Sequence, residues 1–287
     1  MLQQIKGILN ILRLPHTLFS LPFAGCGMVL GAKGWPSLPV FFLIIMAVFF
    51  ARTCAMLFNR ILDRNFDRSN PRTAQRELAK GSVSLVMAWL VFFFSGLLFF
   101  VTCYLINSWC FYLAPIAFFF VCFYSLTKRF TRFSHFFLGL ALAIAPVGAF
   151  LATTDNFHLP LEIIFLSLSV LFWVAGFDII YATMDEDFDR ANSLYSIPEK
   201  YGFNSALKIS GVLHCFTVIL LLALAYSSPQ LGYVFLSGII ITGIVLVAVH
   251  LRATGQDIKA INDAFFNLNV WVGIITFIFI VLDVIYV

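Results

Sequence analysis

Residues 84–106 read SLVMAWLVFFFSGLLFFVTCYLI, which is 23 consecutive positions without a charged side chain. A helix of about 20 apolar residues is long enough to cross the hydrocarbon core of a bilayer. The whole chain of 287 residues is 61% hydrophobic and only 11% charged, whereas a soluble domain is typically about 25% charged. This composition excludes a soluble enzyme, a disordered tail and a nucleic-acid-binding protein, and it predicts a polytopic membrane protein.

Polar breaks on both sides of this stretch divide the chain into nine apolar segments. Uninterrupted apolar runs of this length are typical of transmembrane helices and lack the alternation of barrel strands. We therefore predict an all-α membrane bundle of nine transmembrane helices. Because no linker or low-complexity segment interrupts the chain, we treat residues 1–287 as a single domain. The predicted spans are 14–32, 39–58, 84–106, 109–126, 134–153, 160–181, 207–226, 231–251 and 266–287.

The basic residues are distributed unequally between the segments that join these spans. If the N-terminus is cytoplasmic, the cytoplasmic side of the chain holds 16 of the 18 Lys and Arg residues, and the other two are Lys33 and Arg52. Cytoplasmic loops of membrane proteins carry an excess of Lys and Arg. The asymmetry therefore predicts a cytoplasmic N-terminus.

A first polar cluster follows the second predicted span. Asn59, Asp63 and Asp67 are spaced four residues apart, so on a helix they share one face. Two carboxylates one turn apart repel each other unless a cation lies between them, and oxygen ligands with an open side suit Mg²⁺ that also binds a substrate phosphate. The spacing fits equally well a solvated helix end whose acids are neutralised by the neighbouring arginines.

A second polar cluster ends the sixth predicted span. Asp178, Tyr181, Asp185 and Asp189 form one stripe on a helix. Asp178 lies within the apolar segment, where an ionisable side chain is costly and indicates function by default. Two aspartate stripes on separate helices at one face predict a shared acidic cavity, and they favour metal–diphosphate chemistry over structural charge.

A diphosphate held through a metal also needs positively charged partners. Arginine supplies bidentate contacts to phosphate oxygens, and lysine supplies a point charge. Basic residues at cytoplasmic helix ends are also expected from the membrane topology alone, which leaves a structural role open for Lys128 and Arg129. The candidates are Arg72, Arg76, Tyr124, Lys128 and Arg129.

Arg52 stands apart from the other basic residues. It precedes Asn59 by seven residues, which places it on the same helical face and about two turns deeper in the predicted span. To reach the interface its side chain would have to snorkel over about 10 Å. We favour the alternative hypothesis, in which Arg52 anchors the carboxylate of a small substrate inside the cavity.

At these residues the sequence resembles the UbiA family of intramembrane aromatic prenyltransferases. Residues 59–73, NRILDRNFDRSNPRT, are similar to the family's first Asp-rich motif and the loop after it. Residues 178–189, DIIYATMDEDFD, are similar to the second motif, and residues 124–129, YSLTKR, to the segment between them. Arg52 matches the arginine that precedes the first motif. Nine predicted helices with both motifs inside also agree with the family, so the resemblance covers nearly the whole chain.

The resemblance implies a multi-pass enzyme of the bacterial inner membrane whose active site faces the cytoplasm. It implies that Mg²⁺ binds a polyprenyl diphosphate while Lys128 and the loop arginines hold the phosphate oxygens. A ring carbon of a small aromatic acid would then attack the allylic cation, and Asp178 or Tyr181 would accept a proton or orient the phenol. The implied metal ligands are Asn59, Asp63, Asp67, Asp185 and Asp189.

Some positions depart from the enzymes of the ubiquinone pathway. Glu77-Leu78 follows Arg76 where the family commonly has Pro-Leu. Residues 124–148 are closer to a 4-hydroxybenzoate polyprenyltransferase branch that includes members of the futalosine route to menaquinone. The acceptor is therefore expected to be 4-hydroxybenzoate or a related acid, with 1,4-dihydroxy-6-naphthoate as the alternative.

Other classes of membrane protein compete with this interpretation. Haem-farnesylating and chlorophyll-prenylating enzymes belong to the same superfamily, but the loop Asn70-Pro71-Arg72-Thr73 and the deep Arg52 favour a small aromatic acid. An ion-coupled transporter would carry its charges near the bilayer midplane between inverted repeats, whereas here they gather at one face. A CDP-alcohol phosphotransferase would carry a D-G-x-x-A-R signature, which this chain lacks.

Overall fold

The computed structural model of the protein describes residues 2–12, 19–154, 156–255 and 257–286. Every regular element within these ranges is helical. A 3₁₀ turn (Thr183–Asp185) joins α8 to α9, and a π-helical turn (Ala264–Leu268) joins α12 to α13. The helices are α1 (Leu2–Leu12), α2 (Leu21–Ala32), α3 (Leu38–Leu62), α4 (Arg64–Ser69), α5 (Leu85–Ile106), α6 (Ser108–Thr127), α7 (Ser134–Thr154), α8 (Leu161–Ala182), α9 (Glu186–Ala191), α10 (Ile197–Ser227), α11 (Tyr233–Ala253), α12 (Ile258–Asp263) and α13 (Asn269–Tyr286).

Eight helical segments in the described part of the chain are long and apolar enough to cross a membrane, judged by length and composition. They correspond to the second to ninth predicted spans. The first predicted span, 14–32, contains α2, a shorter apolar helix of 12 residues, while residues 13–18 lie outside the described ranges. The protein is therefore a multi-pass α-helical membrane protein, as its composition predicts.

Helix starts in this bundle are set by local hydrogen bonds that the sequence encodes. The side chains of Ser84, Asn107 and Ser196 each accept a hydrogen bond from the backbone N–H three residues later, at the starts of α5, α6 and α10. Such caps satisfy backbone donors that have no partner within the helix. They fix where three of the long helices begin.

Several segments predicted to be loops are helical instead. The seventh span was predicted to begin at residue 207, but α10 begins at Ile197 and bends at Gly202, whose φ of 75° suits glycine. The helices α1, α4, α9 and α12 were also not predicted. They escaped prediction because each is short or polar, so that its apolar pattern does not stand out from the flanking loops.

Close helix contacts position the helices that surround the site. α8 packs between α7 and α10, and α2 packs against α7. A Cβ atom added at Gly27 of α2 would lie 2.0 Å from the carbonyl oxygen of Pro146, and one added at Gly139 of α7 would lie 2.4 Å from that of Leu171. Glycine at these points allows the backbones to approach closely, as is common between helices in membranes.

The outer surface of the bundle is strongly apolar. Phe93, Phe94 and Leu97 on α5 are each at least 60% exposed, and so are Ile240 and Ile244 on α11. A soluble protein seldom exposes large apolar patches. These faces are the lipid-contacting surface that the eight membrane-spanning segments require.

Candidate active site

A cavity of about 810 Å³ runs through the bundle. One end is lined by the aspartates and basic residues at the C-terminal ends of α3, α6 and α8. Apolar side chains line the remainder, and Ile106, Phe157 and Leu159 lie at the connections of the opposite end. The cavity therefore joins a charged mouth to a long apolar channel.

The residues singled out in the sequence all line this one cavity. They come from α3, α4 and the loop after it, from the end of α6, and from α8, α9 and the turn between them. The spacing arguments therefore identified side chains that the fold brings together, whatever role each one has. The lining includes Arg52, Asn59, Asp63, Asp67, Arg72, Arg76, Tyr124, Lys128, Arg129, Asp178, Tyr181, Asp185 and Asp189.

The first aspartate cluster lies where α3 passes into α4. Asn59 donates a hydrogen bond from Nδ2 to Asp63 Oδ2 at 3.0 Å. Arg129 reaches from the end of α6 to donate to Asp63 Oδ1 at 2.8 Å and to the Leu62 carbonyl at 3.1 Å. Burial raises the pKa of Asp63 above its usual range, although the adjacent Arg129 opposes that shift.

Asp67 completes the first cluster and is held by two arginines. Arg76 Nη1 donates to Asp67 Oδ1 at 2.6 Å, and Arg60 Nη1 lies 3.9 Å from Oδ2. The interpretation of a solvated helix end assigned the neutralising role to Arg60, Arg64 and Arg68. Of these only Arg60 is within ion-pair distance, and the shorter contact comes from Arg76 in the loop beyond α4.

The loop after α4 connects the first cluster to the second. Arg72 Nε donates to Asp185 Oδ1 at 2.9 Å, its Nη2 also contacts Asp185, and its Nη1 donates to the Tyr181 hydroxyl at 2.8 Å. Asn70 donates from Nδ2 to Asp185 Oδ1 at 2.9 Å. Burial alone would lower the pKa of Arg72, but these acidic and hydroxyl partners outweigh it and raise the pKa above its usual range.

Asp189 is the most buried carboxylate of the second cluster, with an exposed fraction of 1%. Lys128 at the end of α6 lies 2.7 Å from its Oδ2. The backbone carbonyl of Lys128 also accepts a hydrogen bond from the Tyr195 N–H at 2.8 Å, so the end of α6 is tied to the loop after α9. Lys128 and Arg129 thus connect the two clusters from the side of α6.

Arg52 lies deeper in the cavity, on α3 and near Tyr124 of α6. Its Nε atom is buried and has no hydrogen-bond partner, and no carboxylate within the described chain forms an ion pair with Arg52. A buried guanidinium without a counterion is costly. Arg52 is therefore a partly buried cation that faces the space of the cavity.

His135 is a cavity residue that sequence reasoning missed. It lies in the first turn of α7, and its Nδ1 atom is 2.6 Å from Asp178 Oδ2. The signal that could have found it is an ionisable residue at the start of an apolar helix. Asn70, which donates a hydrogen bond to Asp185, was also not among the predicted site residues.

Aromatic rings close the cavity beside Tyr181. The π-helical turn before α13 places Phe265 against the Tyr181 ring, with the ring centroids 4.2 Å apart, and against Phe177 at 5.2 Å. Such π-helical turns are frequent at functional sites. Here the turn directs two adjacent phenylalanines, Phe265 and Phe266, into the cavity lining.

The donor set at the charged mouth suits a hard divalent cation. Its carboxylate and amide oxygens are the ligands that Mg²⁺ prefers. In the described residues no group of three or more Asp, Glu, His or Cys side chains converges closely enough to hold a metal ion by itself, because Arg and Lys side chains hold the carboxylates individually. The residue chemistry therefore fits Mg²⁺, with a coordination shell that oxygen atoms from a substrate would have to complete.

A helical membrane bundle with a charged mouth above an apolar channel defines a class of intramembrane enzyme. Such a site is suited to a substrate with an anionic head group and a long hydrocarbon tail. The paired aspartate clusters and their basic partners lie at the mouth of the channel.

The chain belongs to the UbiA prenyltransferase family, whose model matches residues 20–282. It is 30% identical over 254 residues to a 4-hydroxybenzoate octaprenyltransferase of Pseudomonas aeruginosa, covering 88% of this chain and 84% of that relative. It is 29% identical over 253 residues to the 4-hydroxybenzoate octaprenyltransferase of Methylobacillus flagellatus, covering 88% and 83%. The resemblance stated from the two motifs is confirmed, and the protein is a membrane prenyltransferase.

Solved structures agree with this family. The apo structure of a UbiA homologue from Aeropyrum pernix K1 is 34% identical, with a TM-score of 0.85 over 94% of this chain and 98% of that one. The structure of a UbiA homologue from Archaeoglobus fulgidus bound to GPP and Mg²⁺ is 24% identical and has a TM-score of 0.73 over 98% and 100%. The first likeness supports the family, and the second shows the shared fold.

Proposed function

We propose that the protein transfers a polyprenyl group from a polyprenyl diphosphate to a ring carbon of a hydroxylated aromatic acid, with Mg²⁺ as cofactor, in respiratory quinone biosynthesis. The observation that carries this proposal is the position of both aspartate clusters, with their Arg and Lys partners, at one end of an apolar cavity. A diphosphate fits the charged mouth, and an isoprenoid tail fits the channel.

The charged mouth would hold the diphosphate. Mg²⁺, when bound, would neutralise the diphosphate and favour its departure. Arg72, Arg76, Lys128 and Arg129 would turn from their aspartates to the phosphate oxygens and stabilise the charge that develops as the allylic C–O bond breaks. The proposed metal ligands are Asn59, Asp63, Asp67, Asp185 and Asp189.

The deeper residues would bind the acceptor. The Nε atom of Arg52 is buried and no carboxylate in the described part of the chain pairs with this side chain, so the carboxylate of an aromatic acid would supply the missing partner. Asp178 and Tyr181 of α8 precede Asp185 along the chain and line the same cavity as Arg52, where either could contact the phenol hydroxyl. The apolar lining would exclude water, which protects an allylic cation from hydrolysis.

Relatives and neighbours support the substrate classes. The curated relatives are named for 4-hydroxybenzoate and an octaprenyl group, and the Archaeoglobus fulgidus homologue was solved with GPP and Mg²⁺. The departures at Glu77-Leu78 and in residues 124–148 favour 1,4-dihydroxy-6-naphthoate as the alternative acceptor. The reaction type is the same for both acids.

We also propose the arrangement of the chain in the membrane. Residues 1–287 form one domain with nine spans, in which α2 lies in the first, and the N-terminus is cytoplasmic. The charged mouth then faces the cytoplasm of a bacterial cell, at the inner membrane. Support comes from the 16 of 18 basic residues that fall on that side of the chain, together with the bacterial relatives.

A product assay tests the reaction. Purified protein in lipid vesicles would receive Mg²⁺, geranyl diphosphate, and equal amounts of 4-hydroxybenzoate and 1,4-dihydroxy-6-naphthoate, and the products would be identified by mass. We expect prenylated benzoate, and prenylated naphthoate instead would select the alternative acceptor. If neither acid is prenylated although geranyl diphosphate binds, the proposal of an aromatic-acid acceptor is wrong. An Asp185→Asn variant serves as the control for uncatalysed product.

A further inference from the structure

Asp178 differs from the other aspartates of the cavity in its partner. Within the described chain, Asp63, Asp67, Asp185 and Asp189 each lie within 4.0 Å of an Arg or Lys nitrogen. Asp178 has no such cation and is held by His135 alone, at 2.6 Å. Among the described residues, Asp178 is therefore the cavity aspartate whose carboxylate is not ion-paired with an Arg or Lys side chain.

The surroundings of His135 assign its tautomer. The backbone N–H of Ile197, at the start of α10, donates to His135 Nε2 at 3.4 Å. An imidazole nitrogen that accepts a hydrogen bond carries no proton, so in the neutral ring the hydrogen is on Nδ1. The Nδ1–H group therefore donates to Asp178 Oδ2 and orients a carboxylate without adding a positive charge.

The same contacts fix the position of Asp178. His135 is 2% exposed and connects the first turn of α7, the cavity face of α8 and the first residue of α10. Asp178 keeps a side chain that is 24% exposed, and it lines the cavity one turn before Tyr181. With Oδ2 engaged, Oδ1 is the oxygen that the cavity can use.

We propose that His135 is a positioning residue, which holds Asp178 so that its second oxygen accepts the hydroxyl proton of the aromatic acceptor. This inference rests on the proposed function and deepens it by assigning the proton acceptor and the residue that orients it. Precise orientation of a catalytic group contributes strongly to rate, and a group locked by its neighbours keeps that orientation.

The proposed step balances in atoms and charge. The allylic C–O bond breaks and its electron pair leaves with the diphosphate. As the ring carbon beside the hydroxyl forms the new C–C bond, the hydroxyl proton passes to Asp178 and a neutral dienone results. The ring carbon then loses its hydrogen as a proton to the departed diphosphate, and Asp178 returns its proton to the oxygen, which restores the phenol and the carboxylate.

Two substitutions of similar size separate positioning from packing. His135→Leu keeps the bulk of the side chain but removes the donor, whereas His135→Gln can donate to Asp178 and accept from the Ile197 N–H. With the acceptor that the wild-type chain prenylates, we expect kcat to fall about a hundredfold for His135→Leu, in the range typical of lost acid–base catalysis. We expect His135→Gln to stay within a few-fold of wild type and KM for geranyl diphosphate to be unchanged in both.

A double-mutant cycle tests whether His135 acts through Asp178. If it does, His135→Leu costs no further activity in an Asp178→Asn background, because effects that pass through one group are not additive. His158→Ala removes an exposed histidine outside the cavity lining and serves as the matched control. Wild-type activity in His135→Leu, equal loss in His135→Leu and His135→Gln, or additive losses in the cycle would each overturn the proposal.

A spectroscopic measurement provides a readout that does not depend on turnover. The signal of His135 in ¹⁵N NMR spectra of the detergent-solubilised chain is assigned by its disappearance in the His135→Gln variant. We expect this signal to show the Nδ1–H tautomer. A protonated ring or an Nε2–H tautomer would contradict the assignment. If wild type prenylates no aromatic acid, the proposed function fails and this inference fails with it, whereas an active wild type with unaffected variants rejects the inference alone.

Discussion

At the level of single residues, the charged side chains of the cavity differ in whether they have a counterion: four aspartates have one, and Arg52 does not among the described residues. The aspartates have internal counterions, and Arg76 Nη1 lies 2.6 Å from Asp67 Oδ1. Arg52 has no such partner among the residues that the structure describes, although its Nε is buried. Buried charges are tolerated when they are paired, so the aspartates are stable before substrate binds and Arg52 is the residue that a bound anion would stabilise.

Replacing an aspartate of either cluster tests the proposed metal ligands. We expect Asp63→Asn and Asp185→Asn to lower kcat by about a hundredfold or more, because the amide removes the charge that would hold the cation and stabilise the transition state. The measurement is product formation with Mg²⁺ and geranyl diphosphate, with size-exclusion profiles in detergent to confirm folding. Asp187→Asn, which changes a fully exposed acid outside the cavity, is the control.

Activity near that of wild type in a folded Asp63→Asn or Asp185→Asn variant would remove that residue from the metal site. Loss of activity in Asp187→Asn as well would show that the assay responds to charge in general.

Replacing Arg52 tests the proposed contact with the acceptor carboxylate. We expect Arg52→Ala to raise KM for the aromatic acid about tenfold or more, since a hydrogen bond to a charged group is worth roughly 1.5–3 kcal/mol. KM for geranyl diphosphate should change much less. Steady-state kinetics with each substrate varied in turn measures the difference, and Arg52→Lys, which keeps a positive charge, should fall between the two. An unchanged acceptor KM would make Arg52 a structural residue.

Spacing along the sequence predicted which residues meet in the site but not which residues pair. The intervals between Asn59, Asp63 and Asp67 required only local helix geometry. The partners come from distant segments, since Arg72 and Asp185 are 113 positions apart, and His135 and Asp178 are 43 apart. Such contacts depend on how the helices pack, which one sequence does not reveal, so His135 was missed while its partner was identified.

At the level of elements, segment length and hydrophobicity predicted the membrane spans, but they did not predict the polar turns and the short helices. The predicted span 84–106 is observed as Leu85–Ile106, and 134–153 as Ser134–Thr154. The start of α10 was misplaced by about three turns, because residues 197–206 are mixed in polarity and the bend at Gly202 interrupts their period. A long apolar run indicates a helix that contacts lipid, whereas residues 197–206 lie at the polar end of the bundle and lack such a run.

Close packing of α7 on α8 makes a specific prediction for Gly139. We expect Gly139→Ala to destabilise the protein by about 1–3 kcal/mol, because the added methyl group would meet the Leu171 carbonyl oxygen and force the helices apart. Thermal unfolding in detergent measures the effect. Gly243→Ala on α11, where an added Cβ meets nothing within 4 Å, is the matched control and should be neutral or slightly stabilising.

A thermal unfolding midpoint for Gly139→Ala equal to that of wild type would show that the contact between α7 and α8 adjusts to the added methyl group without loss of stability. If the midpoint of Gly243→Ala falls as far as that of Gly139→Ala, the effect does not depend on the close contact.

At the level of the whole molecule, charge is concentrated toward one end of an otherwise apolar bundle. The charged mouth lies among the ends of α3, α6 and α8, and the remainder of the cavity is lined mainly by apolar side chains. In the proposed topology, the excess of Lys and Arg on one side orients the protein in the membrane. In the proposed reaction, the charged mouth would place the reacting groups of the prenyl diphosphate at the depth of the membrane interface.

Cysteine labelling tests the proposed orientation. In a background without the six native cysteines, we expect Lys33→Cys to react with a membrane-impermeant maleimide in intact cells. We expect Lys259→Cys to react only after permeabilisation, because the two exposed positions lie on opposite sides of the proposed topology. The reverse pattern would place the charged mouth outside the cytoplasm, and labelling of both in intact cells would show that the membrane is leaky.

The pairing of each mouth aspartate with a basic side chain has a consequence for the order in which ligands bind in the proposed reaction. A divalent cation that arrives alone must compete with Arg72 for Asp185 and with Arg76 for Asp67, and it deprives those guanidinium groups of their carboxylate partners. A diphosphate that arrives with it offers oxygen atoms to the displaced arginines. Each ligand therefore strengthens the binding of the other by the same factor, as thermodynamic linkage requires. In the proposed reaction, the internal ion pairs would make the substrate-free enzyme bind free metal weakly and bind the metal–diphosphate pair selectively.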